Sequence, residues 1–224
     1  MRVVCVSDTH LTTPELPLGD LLVHAGDLCR VGTEREFIEG IKWIAAQPHA
    51  EKIYVPGNHD RYVFDYPDTA DWWCRKYNIY FLKDSGITIS GIRFYGCPWT
   101  RTFGWTKAFM TDEDVLDAIY GRMPKCDFLI THGPPAGIFD NVDGIPVGSP
   151  GLVSYIERVK PAVHVFGHIH IHHGMTMRFN HLDGKQTLFA NICALNGAQM
   201  PVKDPVLQLE IEKYGTAIHV ADRR

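Results

Sequence analysis

Short apolar runs alternate with polar clusters along most of the chain. Five of these runs have the length and composition of buried strands, and each ends directly before a polar motif. Their uninterrupted apolar character is typical of parallel strands that are covered on both faces. The predicted strands are Val3 to Val6, Leu21 to Val23, Ile53 to Val55, Phe128 to Ile130 and Val163 to Phe166.

Helical patterns separate these runs. Thr33 and Glu36 form a capping box, and the apolar residues that follow share one helical face before Pro48. Ser149 followed by Pro150 is typical of an N-cap and the first helical position. The pattern therefore predicts helices after Thr33, from Asp68 to Lys76, from Thr111 with Asp114 to about Arg122, and from Pro150 to about Val159.

The other segments have the character of strands or loops. Ile79 to Gly96 is rich in Ile, Tyr and Phe and is broken by two turn sequences, which predicts antiparallel strands. Pro98 to Met110 and Gly133 to Gly148 are loops without an assigned element. Strands are predicted near the C-terminus at Met175 to Phe179, Thr187 to Asn191, Val206 to Ile211 and Thr216 to Val220. This order predicts two mixed sheets with helices outside.

Five polar motifs follow the five predicted strands. In an open α/β sheet, ligands bind at the carboxyl ends of the strands, so the motifs are expected to converge on one site. Their side chains are Asp, His and Asn, which bind divalent metals. The motifs are Asp8-Thr9-His10, Gly26-Asp27, Gly57-Asn58-His59-Asp60, Thr131-His132-Gly133 and Gly167-His168-Ile169-His170.

The spacing within the motifs fits a two-metal site. Asp8 and His10 are two residues apart, and in extended backbone such residues point to the same side; His168 and His170 repeat the spacing. One carboxylate, that of Asp27, can bridge two ions. Two-metal sites hold ions ~3.5–4 Å apart, and such a pair binds a hydroxide and clamps phosphate oxygens.

Two neighbouring residues have predicted catalytic roles. Asn58 offers a neutral amide oxygen to a metal. His59 is the next residue, and it is not needed as a metal ligand. We expect His59 to protonate the leaving oxygen and Asp60 to orient the His59 ring.

Composition agrees with a soluble enzyme. The 224 residues fit one domain, 45% of them are hydrophobic, and the net charge of −4 gives no indication of a nucleic-acid partner. No apolar stretch reaches the ~18 residues of a membrane helix, and Met1 leads directly into a strand without a signal-peptide pattern. Six cysteines without regular spacing suggest reduced thiols, so we expect a cytoplasmic location.

The five motifs, in this order, resemble the calcineurin-like metallophosphoesterase superfamily over about residues 3 to 172. Gly91 to Trp99, Asn191 to Ala194 and Pro201 to Pro205 are similar to segments of its small single-domain branch, which has phosphodiesterase activity. The resemblance implies a four-layer α/β sandwich of two mixed β-sheets flanked by helices, formed here by residues 1–224. It implies a first metal held by Asp8, His10 and His170, a bridging Asp27, and a second metal held by Asn58, His132 and His168.

The resemblance also implies that Asn58 and His59 contact the phosphate, and no ligand position is substituted. Mn²⁺ is the expected metal, and Fe, Zn, Co or Ni also suit these ligands. Protein phosphatases of this superfamily carry Asp-Arg-Gly after the bridging Asp, whereas here Leu28 to Gly32 follow Asp27. The first hypothesis is therefore a phosphodiesterase for small, nucleotide-type phosphodiesters. The alternatives are a phosphomonoesterase on the same metals and a non-catalytic interaction scaffold.

One loop leaves its role open. Trp99, Arg101, Phe103 and Trp105 lie in Pro98 to Met110. They could form a wall that stacks a flat leaving group, with Arg101 touching phosphate, or they could pack the loop on the core. Packing is the favoured interpretation. No feature of the sequence indicates an oligomeric state.

Overall fold

The computed structural model describes residues 1–103, 108–202, 206–214 and 217–222. Its strands are β1 (Arg2–Val6), β2 (Leu21–Ala25), β3 (Glu51–Val55), β4 (Tyr80–Phe81), β5 (Ser85–Ile89), β6 (Ile92–Cys97), β7 (Thr100–Arg101), β8 (Met110–Thr111), β9 (Phe128–Thr131), β10 (Asn141–Val142), β11 (Ile145–Pro146), β12 (Val163–Phe166), β13 (Thr176–Asn180), β14 (Gln186–Asn191), β15 (Leu207–Tyr214) and β16 (Ala217–Asp222). Its helices are α1 (Glu34–Ala46), α2 (Arg61–Asp65), α3 (Pro67–Lys76), α4 (Glu113–Arg122) and α5 (Pro150–Val159), with a 3₁₀ turn at His170–His172.

Two six-stranded sheets face each other. The first has the order β16-β15-β1-β2-β3-β4, and the second has the order β13-β14-β12-β9-β6-β5. In each sheet, four neighbouring strands are parallel, and the antiparallel strands lie outside them. The predicted mixed sheets are therefore confirmed.

Successive side chains in each strand point to opposite faces of the sheet, so the core has a part between the two sheets and a part on each outer face. In β1, Val3 and Cys5 point into the core between the sheets, whereas Val4 and Val6 pack under α1 and its neighbours. The outer face of the second sheet packs against α4 and α5 in the same way. Both faces of the central strands are buried, which explains their continuous apolar sequence. The resulting layers are helix, sheet, sheet and helix, as the predicted four-layer fold requires.

The helix prediction succeeded at the caps and failed at one start. Thr33 accepts a hydrogen bond from the backbone of Glu36 (3.3 Å), and Ser149 accepts one from the backbone of Leu152 (3.3 Å). The predicted start at Thr111 is wrong, because Thr111 pairs in β8 and the N-cap of α4 is Asp112. The helix α2, directly after the Gly57-Asn58-His59-Asp60 motif, was not predicted.

The segment Ile79 to Gly96 divides between the two sheets. The strand β4 pairs in parallel with β3, so it belongs to the first sheet, whereas β5 and β6 form an antiparallel pair in the second. The antiparallel prediction is confirmed for that pair only. The two unassigned loops contain the short pairs β7–β8 and β10–β11.

Candidate metal centre

The five motifs meet at one edge of the paired sheets. Three of them follow β1, β2 and β3 of the first sheet, and two follow β9 and β12 of the second. Parallel pairing brings the carboxyl ends of these strands to the same edge, as expected for a ligand site in an α/β fold.

Three groups of metal-ligating side chains lie within this cluster. In each group the candidate ligand atoms lie within 4.8 Å of one another: Asp8 with His10 and His170, His10 with Asp27 and His59, and Asp27 with His132 and His168. Asp27 belongs to two of the groups. Carboxylate and imidazole ligands at this spacing fit a first-row divalent ion.

The two oxygens of Asp27 face opposite sides of the cluster. Its Oδ1 atom lies 3.3 Å from Nε2 of His132, and its Oδ2 atom lies 3.8 Å from Nε2 of His10. The amide oxygen of Asn58 is 2.9 Å from Nε2 of His132, on the Oδ1 side. On the other side, Nε2 of His170 lies 3.2 Å from Oδ1 of Asp8. One carboxylate thus separates two sets of ligand atoms, which is the geometry that a bridging ligand requires.

An unpartnered nitrogen also fits a metal. The Nδ1 atom of His168 is buried and has no hydrogen-bond partner among the described residues. A buried imidazole nitrogen without a partner is costly, and an ion beside it would satisfy its lone pair.

Four of the seven candidate ligand residues adopt left-handed backbone conformations. The φ angles are 52° for Asp8, 44° for His10, 53° for Asp27 and 69° for His168. The predicted extended geometry, in which residues two apart share one side, is therefore wrong. Asp, Asn and His enter the left-handed region more often than other non-glycine residues. Tight turns after the strands, rather than continuing strands, bring these side chains together.

Two motif glycines allow the ligand loops to touch. A Cβ atom at Gly57 would lie 2.4 Å from Oδ1 of Asp27, and one at Gly167 would lie 2.0 Å from Oδ2 of Asp8. Real Cβ atoms do not approach that closely. Because one loop passes directly over the ligand of another, any larger residue at either position would displace a candidate ligand.

Hydrogen bonds orient the Asp8 carboxylate. Its Oδ2 atom accepts from the hydroxyl of Ser7 and from the thiol of Cys193 (3.2 Å), and the backbone N–H of His168 lies 3.1 Å from both oxygens. The Oδ1 atom is the one that faces His170. Outer hydrogen bonds of this kind fix the direction in which a ligand presents its lone pair.

Electrostatics keep both central carboxylates ionised. Burial alone would raise the pKa of Asp8, but a hydrogen bond with His170 and the charges of His132 and His10 hold it well below its usual value. Burial likewise opposes ionisation of Asp27, and His132 outweighs it and lowers the pKa of Asp27. Anionic carboxylates are the form that binds a metal ion.

The two histidines of the second group differ in protonation. Burial would lower the pKa of His132, but Asp27 and Asp8 outweigh it and raise that pKa to about 9. Burial and the charge of His132 lower the pKa of His168 to about 3. Without an ion, His132 therefore holds a proton beside the buried carboxylates, and it must release that proton to become a ligand, whereas His168 is already in the neutral form that binds a metal.

The structure corrects the role of Asp60. Its carboxylate is buried and accepts hydrogen bonds from the backbone N–H groups of Gly57 (2.7 Å) and Cys29 (2.9 Å). The His59 ring is held elsewhere, because its Nδ1 atom donates to the carbonyl of Arg30 at 2.5 Å. The prediction that Asp60 orients His59 is therefore wrong. Asp60 joins the loop after β2 to the loop after β3.

Replacing Asp60 by alanine should consequently affect the whole centre. The change leaves three buried N–H groups without an acceptor, those of Gly57, Cys29 and, at 3.4 Å, Leu28. Each such loss costs about 1–3 kcal/mol, so we expect a loss of folding stability of a few kcal/mol. Metal affinity should fall as well, because both linked loops carry ligands. Urea unfolding and metal titration would test this, with Asp65→Ala, an exposed carboxylate in α2, as the control. Unchanged values for both would contradict the assigned role.

Arg101 lies away from the centre. Its Nε atom is 3.3 Å from Glu113 of α4, and one terminal nitrogen donates to the carbonyl of Gly148 (3.3 Å). The predicted contact of Arg101 with phosphate is therefore not supported, and the packing interpretation of the loop fits Arg101. Trp99 also packs, with its indole N–H donating to Asp84 (2.8 Å). Trp105 lies outside the described residues.

Phe103 behaves differently from its neighbours in that loop. It lines the pocket above the centre, and its ring centroid is 4.9 Å from that of His168. The wall interpretation of the loop therefore fits Phe103 alone among its described members.

A second wall of the pocket was missed by the sequence analysis. The strands β10 and β11 form a hairpin in which Asp143 and Gly144 both have positive φ angles, 51° and 86°. Asp-Gly between apolar residues is a strong signal for a two-residue hairpin, so the segment was predictable. Val142 and Ile145 on this hairpin line the pocket.

Two buried histidines support the residues next to the ligands. Nε2 of His24 lies 3.0 Å from Oγ1 of Thr9, and Nε2 of His164 lies 2.8 Å from Oγ1 of Thr131. Both histidines lie in central strands, His24 in β2 and His164 in β12. Burial lowers the pKa of each to about 3.

These depressed pKa values predict an acid sensitivity. An unfolded histidine titrates near 6.5, so between pH 6.5 and 3 the unfolded chain binds a proton that the folded chain refuses. Stability should fall as pH falls, by about 2 kcal/mol per histidine between pH 7 and 5. His164→Gln, which can keep the bond to Thr131, should lose about 2 kcal/mol less over that interval than the wild type. Urea unfolding of metal-free protein at both pH values tests this, and equal losses would contradict it.

No helix in the described residues is long and apolar enough to cross a membrane.

Comparison with known proteins identifies the family of this chain. A family model described as calcineurin-like phosphoesterase matches residues 1–172. Metallophosphoesterase domain-containing protein 1 of Homo sapiens is 34% identical over an alignment that covers 92% of this chain and 70% of that protein. Probable rhamnogalacturonate lyase C of Emericella nidulans is 40% identical over 76% of this chain. That match covers 17% of the lyase, so the name says nothing about the matched region.

A solved structure shares the fold. Phosphopantetheinyl hydrolase from Mycobacterium tuberculosis aligns with a TM-score of 0.62 over 88% of this chain and 90% of the hydrolase, at 15% identity. At that identity the likeness speaks for the fold alone. The family match and the human relative confirm the resemblance that the motifs indicated. This chain belongs to the calcineurin-like phosphoesterase family, whose members hydrolyse phosphoesters with divalent metal ions.

Proposed function

We propose that this phosphoesterase is a phosphodiesterase for small phosphodiesters. The observation that carries the proposal is the central Asp27, whose two oxygens face separate sets of ligand atoms. One ion would be held by Asp8, His10 and His170, the other by Asn58, His132 and His168, with Asp27 between them. When bound, two such ions act as Lewis acids toward phosphoryl oxygens and water. Mn²⁺ is our expected metal.

The protein's own residues position the ester and serve the leaving group. Asn58 presents a neutral amide oxygen at the floor of the pocket, so it adds a ligand without adding negative charge. His59 also lines the pocket, with Nε2 3.9 Å from Oδ2 of Asp27. Its Nδ1 atom donates to a backbone carbonyl and its Nε2 atom faces the centre, so we assign to Nε2 the protonation of a departing oxygen.

The charge of the pocket supports a diester over a monoester. A monoester dianion carries one more negative charge than a diester, and a site built for it would supply cationic side chains. Among the described residues that line the pocket, none is a lysine or an arginine. The missing Asp-Arg-Gly sequence after Asp27 supports the same choice. A diester therefore matches the lining better.

A comparison of two substrates with one leaving group tests the proposal. We expect Mn²⁺-loaded protein to hydrolyse bis-p-nitrophenyl phosphate at least about tenfold faster, as kcat/KM, than p-nitrophenyl phosphate, because the extra charge lacks a partner. Chelator-treated protein is the control for metal dependence, and Fe, Zn, Co and Ni are tested in turn. A faster monoester in every metal would establish the monoesterase. Metal-loaded protein that hydrolyses neither ester would favour the scaffold.

We also propose a cytoplasmic location. All six cysteines are buried free thiols, which supports a reducing compartment.

A further inference from the structure

The pocket above the candidate metal centre has two chemically different parts. It encloses about 530 Å³, and its floor is formed by the side chains of the centre. Its upper walls are apolar: Phe103, Val142, Ile145, Val147, Ile169 and Ile171. A phosphoryl group on the floor would therefore carry its ester substituent up between these walls.

The hairpin β10–β11 presents one continuous apolar face to the pocket. Val142 and Ile145 are directly paired across it, so their side chains lie on the same face. Val147 follows Ile145 by two residues and also lines the pocket. The apolar face of a hairpin is usually covered by other protein atoms, whereas the apolar face of this hairpin lines a cavity.

The hairpin is held in place by its surroundings. The backbone N–H of Gly144 donates to the side chain of Asn141 (2.9 Å), which closes the turn. His172 donates from Nε2 to the carbonyl of Asn141 (2.9 Å), and the backbone N–H of Val147 donates to the carbonyl of Asp140 (2.9 Å). The apolar face is thus a fixed wall and not a loose loop.

Several large apolar side chains of these walls are exposed to solvent. Ile145 is 64% exposed, Ile171 is 51% exposed and Phe103 is 44% exposed, and all three line the same cavity. Single exposed apolar residues are ordinary, but a cluster around a cavity next to polar ligand groups is typical of a binding site. Burial of such side chains by a ligand would contribute roughly in proportion to the area covered.

We propose that these walls form a slot for an uncharged, apolar group esterified to the phosphate. The inference rests on the proposed function, which it narrows from small diesters in general to diesters with an apolar substituent. Among the described lining residues, the upper walls offer Gln199 as their polar side chain and no cation. A charged substituent, or a second phosphate, would lose water there without gaining a partner.

Calorimetric titration with alkylphosphonates isolates the slot from the chemistry. Methylphosphonate, butylphosphonate and 4-aminobutylphosphonate share the group that would meet the metals and differ only in the substituent. For Mn²⁺-loaded protein, we expect Kd to fall about fourfold per methylene, so butylphosphonate should bind roughly 50-fold more tightly than methylphosphonate. The 4-aminobutyl compound should lose most of that gain.

Substitution of the hairpin locates the effect. In the double variant Val142→Thr and Ile145→Thr, which keeps β-branched residues in the hairpin, the butyl-to-methyl affinity ratio should fall by about tenfold. Val115→Thr makes the same change at an exposed valine of α4, 49% exposed and outside the pocket, and should leave the ratio unchanged.

The outcomes separate the slot from the proposed function. Equal or undetectable binding of the methyl and butyl compounds would overturn the slot, whatever the protein hydrolyses. A clear chain-length dependence in a protein that hydrolyses no diester would uphold the slot and count against the phosphodiesterase. If the aminobutyl compound bound as tightly as the butyl compound, the slot would not be selective for uncharged groups, and the inference would fail.

Discussion

Asp27→Ala should remove both metal ions and abolish most diester hydrolysis. The Asp27 carboxylate is buried, its two oxygens face His132 at 3.3 Å and His10 at 3.8 Å, and each side has its own ligand set. Without the carboxylate, two cations would approach each other with no anion between them. Changes to outer hydrogen bonds of metal sites already cost 10–100-fold, so loss of the shared ligand should lower turnover by more than about 100-fold.

The metal content of four proteins makes the Asp27 result specific. Metal content should approach two ions per chain in the wild type and fall near zero in Asp27→Ala, whereas Asp8→Ala should empty mainly the first site. Asp127→Asn is the matched control, because Asp127 pairs with Arg93 (2.6 Å) directly before β9, at the opposite end of that strand from His132. It should keep both ions. Full metal and full activity in Asp27→Ala would refute the bridging role.

The fold followed from local patterns that tertiary packing reinforced. The central strands are covered on both faces, so their apolar runs were unbroken and their positions were predictable. Thr33 and Ser149 were found as N-caps because capping is a local hydrogen bond. Thr111 was misassigned for the opposite reason: its backbone pairs with Arg101 across a loop, a non-local contact that no local pattern contains.

The motif residues converged as predicted, but the geometric reason given for it was wrong. Spacing two apart suggested extended backbone, and the structure has left-handed turns at Asp8 and His168 instead. Residue type and strand order were sufficient to predict that the motifs converge. The carboxyl ends of parallel strands meet at one edge of a sheet, whatever the conformation of the residues that follow them. How each side chain is aimed depends on loops that stack on one another, as at Gly57 and Gly167.

Roles that depend on a partner elsewhere in the chain were the ones misjudged. Asp60 follows His59 in sequence, yet its partners are Gly57 and the distant Cys29. Arg101 was placed near phosphate by its loop, and Glu113 holds it elsewhere. The neighbours of a residue in sequence say little about which partner a buried carboxylate or a long cationic side chain binds. The hairpin at Asp143-Gly144 is different, because its local signal was present and was overlooked.

His59 carries the second large prediction, because its structural surroundings separate catalysis from metal binding. Its ring lies with His10 and Asp27 at a spacing that could also hold an ion. Its backbone N–H donates to Oδ1 of Asp27 at 2.7 Å, and that bond survives any substitution of the ring. If His59 serves the leaving group, His59→Ala should retain both metals and lose rate; if it is a ligand, metal content should fall.

The rate loss should depend on the leaving group. General acid catalysis contributes typically ~10²–10⁴-fold, so His59→Ala should lose about that factor with alkyl diesters, whose alkoxide needs a proton to depart. With p-nitrophenyl diesters, whose phenolate departs unprotonated, the loss should be much smaller. A plot of the wild-type to variant rate ratio against leaving-group pKa is the measurement. A constant ratio across the series would refute the acid role and leave His59 as a phosphate-binding or structural residue.

His59→Asn distinguishes an acid from a positioning group. Asparagine can still donate to the carbonyl of Arg30, which the imidazole Nδ1 contacts at 2.5 Å, but it cannot transfer a proton. If His59 only fixes the loop that carries Arg30, the asparagine variant should regain most of the activity lost in His59→Ala. If His59 is the acid, both variants should be equally slow with alkyl diesters and nearly normal with p-nitrophenyl diesters. The acid role therefore requires two variants with the same leaving-group dependence, although only one of them preserves the hydrogen bond.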